Sequence, residues 1–476
     1  MKPNFLIISS DQHRYDCIGI NGNSTIQTPN LDRLAGQGFL FSNAYTTCPV
    51  CTPARASFLN GQWSYVHGCL TIPEHTEPQC ALPLQTPMVP RLLREAGYCQ
   101  SYIGKWHLGR RDNSAYHPSP IDVGMDSYIP ESEYGNWCRE NHITSARFSK
   151  AGSMEPREDE LNPRKVFQNR IDPIDHTQSR LHWGADQTIE QMKMLSKQEK
   201  PFFLRWDPSE PHLPSIVPRD FAEKYRAEDI PLWGSVHDEL VNKPYALRKL
   251  RNAWGLNGIS DEEIREMIRL YYAEITLLDY EIGRVLQSLE ELGLAENTVV
   301  IYTTDHGDMC GSHGFVDKHY NMYEDITHVP LILRCPGETP AQKDMFVHHT
   351  IDLAYTILQL AGIKVPETFQ GASLLSDNGR SFAVSAYHGA QFGLFSQRML
   401  RQRRYKYVYN ATDIDELYDL QNDPWEMENL IFQPEQQERI AQMRRDLYLF
   451  LKDSGDPLMA SMWPREELFK NKKLER

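Results

Sequence analysis

Short apolar runs of strand length alternate along this chain with segments of helical periodicity, and that alternation restricts the fold more than any other feature. The runs over 4–10, 99–103, 201–206, 298–303 and 329–334 read as strands. Parallel strands need long crossovers, usually helical, so the pattern predicts βαβ units around a mostly parallel sheet. Helices are expected over 29–37 and 88–96. The clearest one starts at Ser260, where Ser260 and Glu263 form a capping box. Its apolar positions Ile264, Met267, Ile268, Tyr271, Ile275, Leu278, Ile282, Val285, Leu286 and Leu289 recur at helical spacing, and Gly293 ends it. Residues 110–180 and 207–258, rich in Pro, Asp, Asn and His without clear periodicity, read as long surface insertions. Beyond Pro366 the pattern changes to short antiparallel strands over 381–388, 397–401 and 405–409, followed by an amphipathic helix over 434–451. The expected class is therefore α/β, with a large helix-flanked, mostly parallel sheet over 1–365. A smaller subdomain over 366–476, with a short antiparallel sheet and a helix, is expected to pack on it.

With 476 residues the chain is long enough to bury a large core. No stretch reaches the roughly 18 to 20 apolar residues of a membrane span. The formal net charge of -14 gives no global footprint for nucleic acid or an anionic bilayer, so an anionic substrate would have to be drawn by a local basic pocket. The N-terminal apolar run is too short for a secretory core and lacks a small-residue cleavage site. Nine scattered cysteines, an odd number, do not make a disulfide framework. Both points lead to the expectation of a cytoplasmic protein.

The most informative segment is 48–61, CPVCTPARASFLNG. Pro53 suits the first turn of a helix continued by Ala56, Phe58 and Leu59, which puts Cys51 at the helix N-terminus, where the macrodipole favours negative charge. An anion or an activated nucleophile is at home there. A buried, inert cysteine is the plainer alternative, and a zinc site at Cys48 and Cys51 lacks a second ligand pair. Two further clusters, Ser10-Asp11-Gln12-His13 and Thr304-Asp305-His306-Gly307-Asp308, directly follow predicted strands. In an open α/β sheet ligands gather beyond the carboxyl ends of the strands. Asp11, Gln12, Asp305 and His306 together would make an oxygen-rich site for a hard divalent cation, although an Asp after a strand also serves as a helix cap. Lys105 and His107, His212, and Lys318 and His319 bring cations and proton carriers to the same edge.

In this order, Asp11-Gln12, Cys51-Thr52-Pro53-Ala54-Arg55, Lys105-x-His107, His212, Asp305-His306 and Lys318 resemble the type I sulfatases of the alkaline phosphatase superfamily. The segment TPNLDRLA over 28–35 and the tail ELYDL over 416–420 extend the resemblance over nearly the whole chain. It implies an alkaline-phosphatase-like fold and hydrolysis of an aryl or carbohydrate sulfate monoester. It also implies that a maturation enzyme oxidises Cys51 to formylglycine, and that Ca²⁺, or else Mg²⁺ or Mn²⁺, is held by Asp11, Gln12, Asp305 and His306. A gem-diol oxygen at position 51, held by the cation and Arg55, would attack sulfur while His212 protonates the departing alcohol. His107 would then take a proton from the second hydroxyl, releasing sulfate. Lys105 and Lys318 would neutralise the sulfuryl oxygens. The implied partners are a small-molecule or oligosaccharide sulfate ester and the maturation enzyme, with neither nucleic acid nor membrane.

Three departures from the family pattern bear on this reading. Ala54 stands where Ser is commoner, Gln12 where a second Asp is commoner, and His306 where Asn is commoner. The Gln and His pair also occurs in the similar phosphonate monoester hydrolases, which makes a phosphonate or phosphodiester hydrolase the alternative enzyme. Those relatives usually lack the Lys-x-His pair, so Lys105 and His107 turn the choice toward sulfate. A third reading keeps Cys51 as a thiol in a pocket that only binds sulfated ligands. Arg14, Arg110, Arg111, His313, His319 and His388 are candidate contacts for the alcohol half, each also readable as an ordinary surface or supporting residue.

Overall fold

The computed structural model describes residues 2–72, 82, 85–108, 118–148, 169–254, 256–376, 379–390 and 393–473. In chain order its strands are β1 (Asn4–Ser10), β2 (Phe39–Tyr45), β3 (Cys99–Gly104), β4 (Ser127–Pro130), β5 (Arg170–Asp172), β6 (Phe202–Asp207), β7 (Ile216–Pro218), β8 (Thr298–Thr304), β9 (Leu331–Arg334) and β10 (Ala341–His348). They are followed by β11 (Phe382–Ala390), β12 (Gly393–Gln402), β13 (Tyr405–Asn410) and β14 (Glu416–Asp419). Eight of them form the main sheet, in the order β10-β2-β9-β8-β1-β6-β3-β4. Only β9 runs antiparallel to its neighbours, so the sheet is mostly parallel, as the alternation of strands and helices implies.

β1 is central because it can be buried on both faces. Leu6 and Ile8 pack into a core with the helices Arg180–Leu195 and Asp261–Glu291, whereas Phe5 and Ile7 pack on the other face with Cys51–Asn60 and His349–Leu360. Strands covered on both sides read as continuous apolar runs, which is why this one is legible in the sequence. β1 pairs in register with β8 from Asn4↔Thr298 to Ser10↔Thr304 and with β6 from Phe5↔Phe203 to Ile8↔Trp206. Their carboxyl ends therefore bring Asp11, Asp207 and Asp305 side by side. The helix after Ser260 runs from Asp261 to Glu291 with its capping box formed.

β11 to β14 make a separate antiparallel sheet of four strands, and the last long helix is Gln437–Asp453. The Ala386 N–H donates to the Thr47 carbonyl at 2.9 Å, joining β11 to the approach to the Cys51 helix.

The expectation of long surface insertions is corrected in two places. The 207–258 stretch carries β7 and the helix Tyr245–Ala253, and it buries Trp233, Val236, Leu247 and Leu250 in the core. The described part of 110–180 supplies the edge strand β4 and the helix Glu133–Glu140. The strands and helices within both stretches are short, so too few apolar positions recur to reveal a period. β2 and β10 also escape the periodicity. β10 starts with the exposed Ala341 and Gln342, as suits the edge strand it is, and so reads as polar.

Candidate active site

The helix Cys51–Asn60 is buried around its whole circumference and starts at Cys51, after an extended Val50 that provides no side-chain cap. Its first N–H groups therefore retain an unneutralised positive end directly at the thiol. Cys51 Sγ lies 3.1 Å from His306 Nε2 and 3.8 Å from Asp11 Oδ1. Burial and the Asp11 carboxylate push the thiol up, but Lys318, His306 and Lys105 outweigh them and draw it down to about 5. A group at this position is thus held in an environment built for negative charge, unlike Cys48 three residues earlier, which burial pushes up.

One turn along the helix, Arg55 ties three strand ends together. Its Nη2 donates to Asp11 at 3.1 Å, its Nη1 to Asp207 at 2.7 Å and its Nε to Asp305 at 3.0 Å. Lys105 Nζ reaches Asp11 Oδ2 at 2.6 Å. Lys105 is placed there by Gly104, whose φ of +101° and close approach to the Asp207 carbonyl leave no room for a Cβ, and the Lys105 N–H donates to that carbonyl at 2.8 Å. The His107 carbonyl accepts the Thr52 hydroxyl at 2.8 Å, so the His107 backbone is fixed to the residue after Cys51.

His306 Nδ1 lies 2.8 Å from the Gly307 carbonyl and donates to it, which turns Nε2 toward Cys51. Burial lowers the affinity of this imidazole for a proton, but Asp305 and Cys51 more than offset that and raise it to about 9. His212 sits between two cis peptide bonds, Glu210–Pro211 and Leu213–Pro214. Its Nδ1 donates to the Leu213 carbonyl at 2.6 Å, leaving Nε2 to accept from Lys318 Nζ at 3.3 Å. Burial together with Lys105 and Lys318 pushes His212 down to about 3, so it is neutral near pH 7.

Asp11, Cys51, Asp305 and His306 place ligand atoms within 4.8 Å of one another. Gln12 adjoins them, with its N–H donating to Asp305 Oδ1 at 3.3 Å and its buried Oε1 lacking a hydrogen-bond partner among the described residues. Two carboxylates, an uncommitted amide oxygen and an imidazole nitrogen suit a hard divalent cation, so the donor set fits the expected metal.

The fold thus brings Asp11, Gln12, Cys51, Arg55, Lys105, His212, Asp305, His306 and Lys318 into one cluster, with His107 bound to it through Thr52. The candidate substrate contacts divide differently. His319 lies beside the cluster, 3.3 Å from Asp317. Arg14 is instead buried, held by Asp16, Asp325 and the carbonyls of Asp308 and Met309. His313 is stacked on Tyr323 and bonded to Asp238, and His388 is buried against Ser64. These three are parts of the interior because each meets a fixed polar partner there, which no spacing in the sequence could reveal. Arg110 and Arg111 lie outside the described residues. Asp207 and Asp317 belong to the cluster without having been singled out by sequence reasoning. Asp207 directly follows the predicted strand 201–206, as Asp11 follows 4–10, so the same positional rule could have found it.

The Sulfatase family model matches residues 3–363, and a model described as N-sulphoglucosamine sulphohydrolase, C-terminal, matches 311–453. The chain is 31% identical over 468 residues to an uncharacterised sulfatase, YidJ, of Escherichia coli K12, covering 97% of this chain and 90% of that protein. It is 30% identical to an arylsulfatase of Clostridium perfringens, covering 94% of each. Among solved structures, the phosphonate monoester hydrolase SpPMH from Silicibacter pomeroyi superposes with a TM-score of 0.81 at 22% identity, over 96% of this chain and 97% of that one. The last likeness is one of fold.

Proposed function

The chain belongs to the sulfatase family and is a sulfuric ester hydrolase, and from that premise we propose that it cleaves a sulfate monoester of an aryl alcohol or a sugar at the site around Cys51. The observation that carries the reading is the buried group at position 51 with Lys105, Lys318 and His306 around it, one helix turn from an Arg55 that binds the neighbouring carboxylates. A sulfate monoester has three peripheral oxygens sharing one negative charge, so several fixed cations can surround it without leaving a buried charge unpaired. Formylglycine made from Cys51 by a maturation enzyme would supply a nucleophilic hydroxyl there and a second one through which sulfate can leave. A divalent cation such as Ca²⁺ on Asp11, Gln12, Asp305 and His306 would add Lewis-acid polarisation of the sulfuryl oxygens.

The remaining work falls to this chain's own side chains. Arg55 and Lys105 fix Asp11 and neutralise charge beside the sulfuryl group. Lys318 holds a proton at Nζ, and His212, neutral with its own proton on Nδ1, can hand the departing alcohol a proton from Nε2 only as Nε2 takes one from Lys318, which is left neutral. His107, whose backbone carbonyl is bonded to Thr52, would take the proton from the second hydroxyl at position 51. The alternative, cleavage of a phosphonate monoester or phosphodiester, puts a carbon or an alkoxy group where one free sulfate oxygen would sit and would need space beside Lys105. Initial rates with nitrophenyl sulfate, a panel of sulfated sugars and nitrophenyl phenylphosphonate, taken on one preparation, test the choice. Higher kcat/KM for a sulfate ester supports it, and faster phosphonate cleavage would put the alternative first.

A further inference from the structure

Gln12 is fully buried, holds a left-handed φ of 65°, and stands in the cation site where its amide could offer either its oxygen or its nitrogen. Asp317, which lies outside the proposed ligand set, settles which. One terminal atom of the Gln12 amide is 2.6 Å from Asp317 Oδ1. A carboxylate only accepts, so that atom is Nε2, and Oε1 is directed away from Asp317 without a hydrogen-bond partner among the described residues. An amide oxygen buried in this way costs free energy unless something binds it.

We propose that Asp317 is a positioning residue for the cation site, holding the Gln12 amide so that Oε1 serves as a ligand and adding the negative charge that Gln12 itself does not carry. The inference rests on the reading of Asp11, Gln12, Asp305 and His306 as the cation site. Polar partners behind a ligand fix its orientation and raise its donor strength, and a carboxylate on the far side of the amide polarises the C=O toward the cation. Asp317 is itself fixed. Its Oδ1 is 3.0 Å from Lys318 Nζ, its Oδ2 is 3.3 Å from His319 Nε2, and its carbonyl accepts the Met309 N–H at 2.7 Å. The same carboxylate therefore spans the cation site and the lysine proposed to serve the departing alcohol.

The test is calorimetric titration of Ca²⁺ into metal-stripped, full-length protein, with folding followed by circular dichroism. Asp317→Asn can present its NH₂ to position 12 and draw Oε1 away from the cation, so Ca²⁺ affinity should fall by about 10- to 100-fold. Gln12→Glu alone sets two carboxylates face to face and should also weaken binding. The double variant Gln12→Glu with Asp317→Asn restores a donor facing an acceptor and should bind Ca²⁺ better than either single variant. A merely structural role for Asp317 predicts no such recovery. If wild-type protein binds Ca²⁺ and Asp317→Asn binds it equally well, the inference is overturned while the site stands. If wild-type protein binds no Ca²⁺, the site reading falls and the inference with it. Should Asp317→Asn fail to fold, the comparison of the double variant with Gln12→Glu decides, and no gain in the double variant would overturn the proposal.

Discussion

Replacing Arg55 by Met removes a side chain that bonds three strand-end carboxylates, and the cost can be worked out partner by partner. Asp207 would keep Arg205, at 2.6 Å and 2.8 Å, and the Tyr102 hydroxyl at 2.8 Å. Asp11 would keep Lys105 at 2.6 Å. Among the described residues Asp305 would keep only the Gln12 and His306 N–H groups, at 3.3 Å and 2.9 Å, with the His306 ring nitrogen at 3.8 Å. Removing one partner from a buried ion pair costs roughly 3 to 5 kcal/mol. Because two of the three carboxylates retain a close cation, the lower end, about 3 kcal/mol, is expected for the metal-free protein. Urea unfolding in the presence of chelator, followed by tryptophan fluorescence, measures it. Saturating Ca²⁺ should shrink the deficit, since a cation on Asp11 and Asp305 takes over the neutralisation, and binding to the folded state adds stability by mass action. Arg55→Lys should fall between, because an ammonium lacks the planar fork that reaches three acceptors. A loss below about 1 kcal/mol without metal would refute this account of the cluster.

Other substitutions probe the chemistry and the scaffold separately. Lys105→Ala should cost sulfate turnover about a hundredfold or more, and cost phosphonate turnover less, as kcat/KM on paired aryl substrates would reveal; equal losses would remove Lys105 from the choice between esters. Cys51→Ala should be inactive and Cys51→Ser strongly impaired, since serine has no second hydroxyl for releasing sulfate; sustained near-wild-type turnover by the serine variant would contradict this. Away from the site, burial pushes Asp238 up, but the His313 and Lys243 contacts prevail and hold its carboxyl at about 2, below the ordinary 3.8. Such a depressed carboxyl stabilises the fold above its unfolded pKa, and the benefit is lost as pH falls toward 2. Asp238→Asn should therefore be less stable than wild type by about 2 kcal/mol at pH 6, with the gap closing between pH 4 and pH 2 in urea titrations; a gap unchanged with pH would refute it.

What the sequence disclosed follows from burial. β1, β6 and β8 are covered on both faces, so their apolar runs are continuous, and the order of residues alone is enough to put the positions just beyond them at one sheet edge. β4 and β10 lie at the sheet edges, where polar residues interrupt the apolar run, and β7 is only three residues long, too short to show a period. For the site, the spacing within Cys51-x-Pro-x-Arg55 survives folding because one helix turn carries both residues. The contacts that tune those side chains are between segments far apart in the chain. Asp317 meets Gln12 across 305 positions and Asp207 meets Arg55 across 152, and neither pairing has a local signature. The same holds for Arg14, His313 and His388, whose residue types suit a ligand contact and whose partners lie in the interior.

The central claim is that position 51 carries the reacting group, and mass spectrometry of the tryptic peptide spanning 34–55 tests it most directly. Protein that turns over a sulfate ester should yield that peptide with the mass of an aldehyde in place of the Cys51 thiol. An active preparation in which the peptide keeps an unmodified thiol throughout would contradict the account.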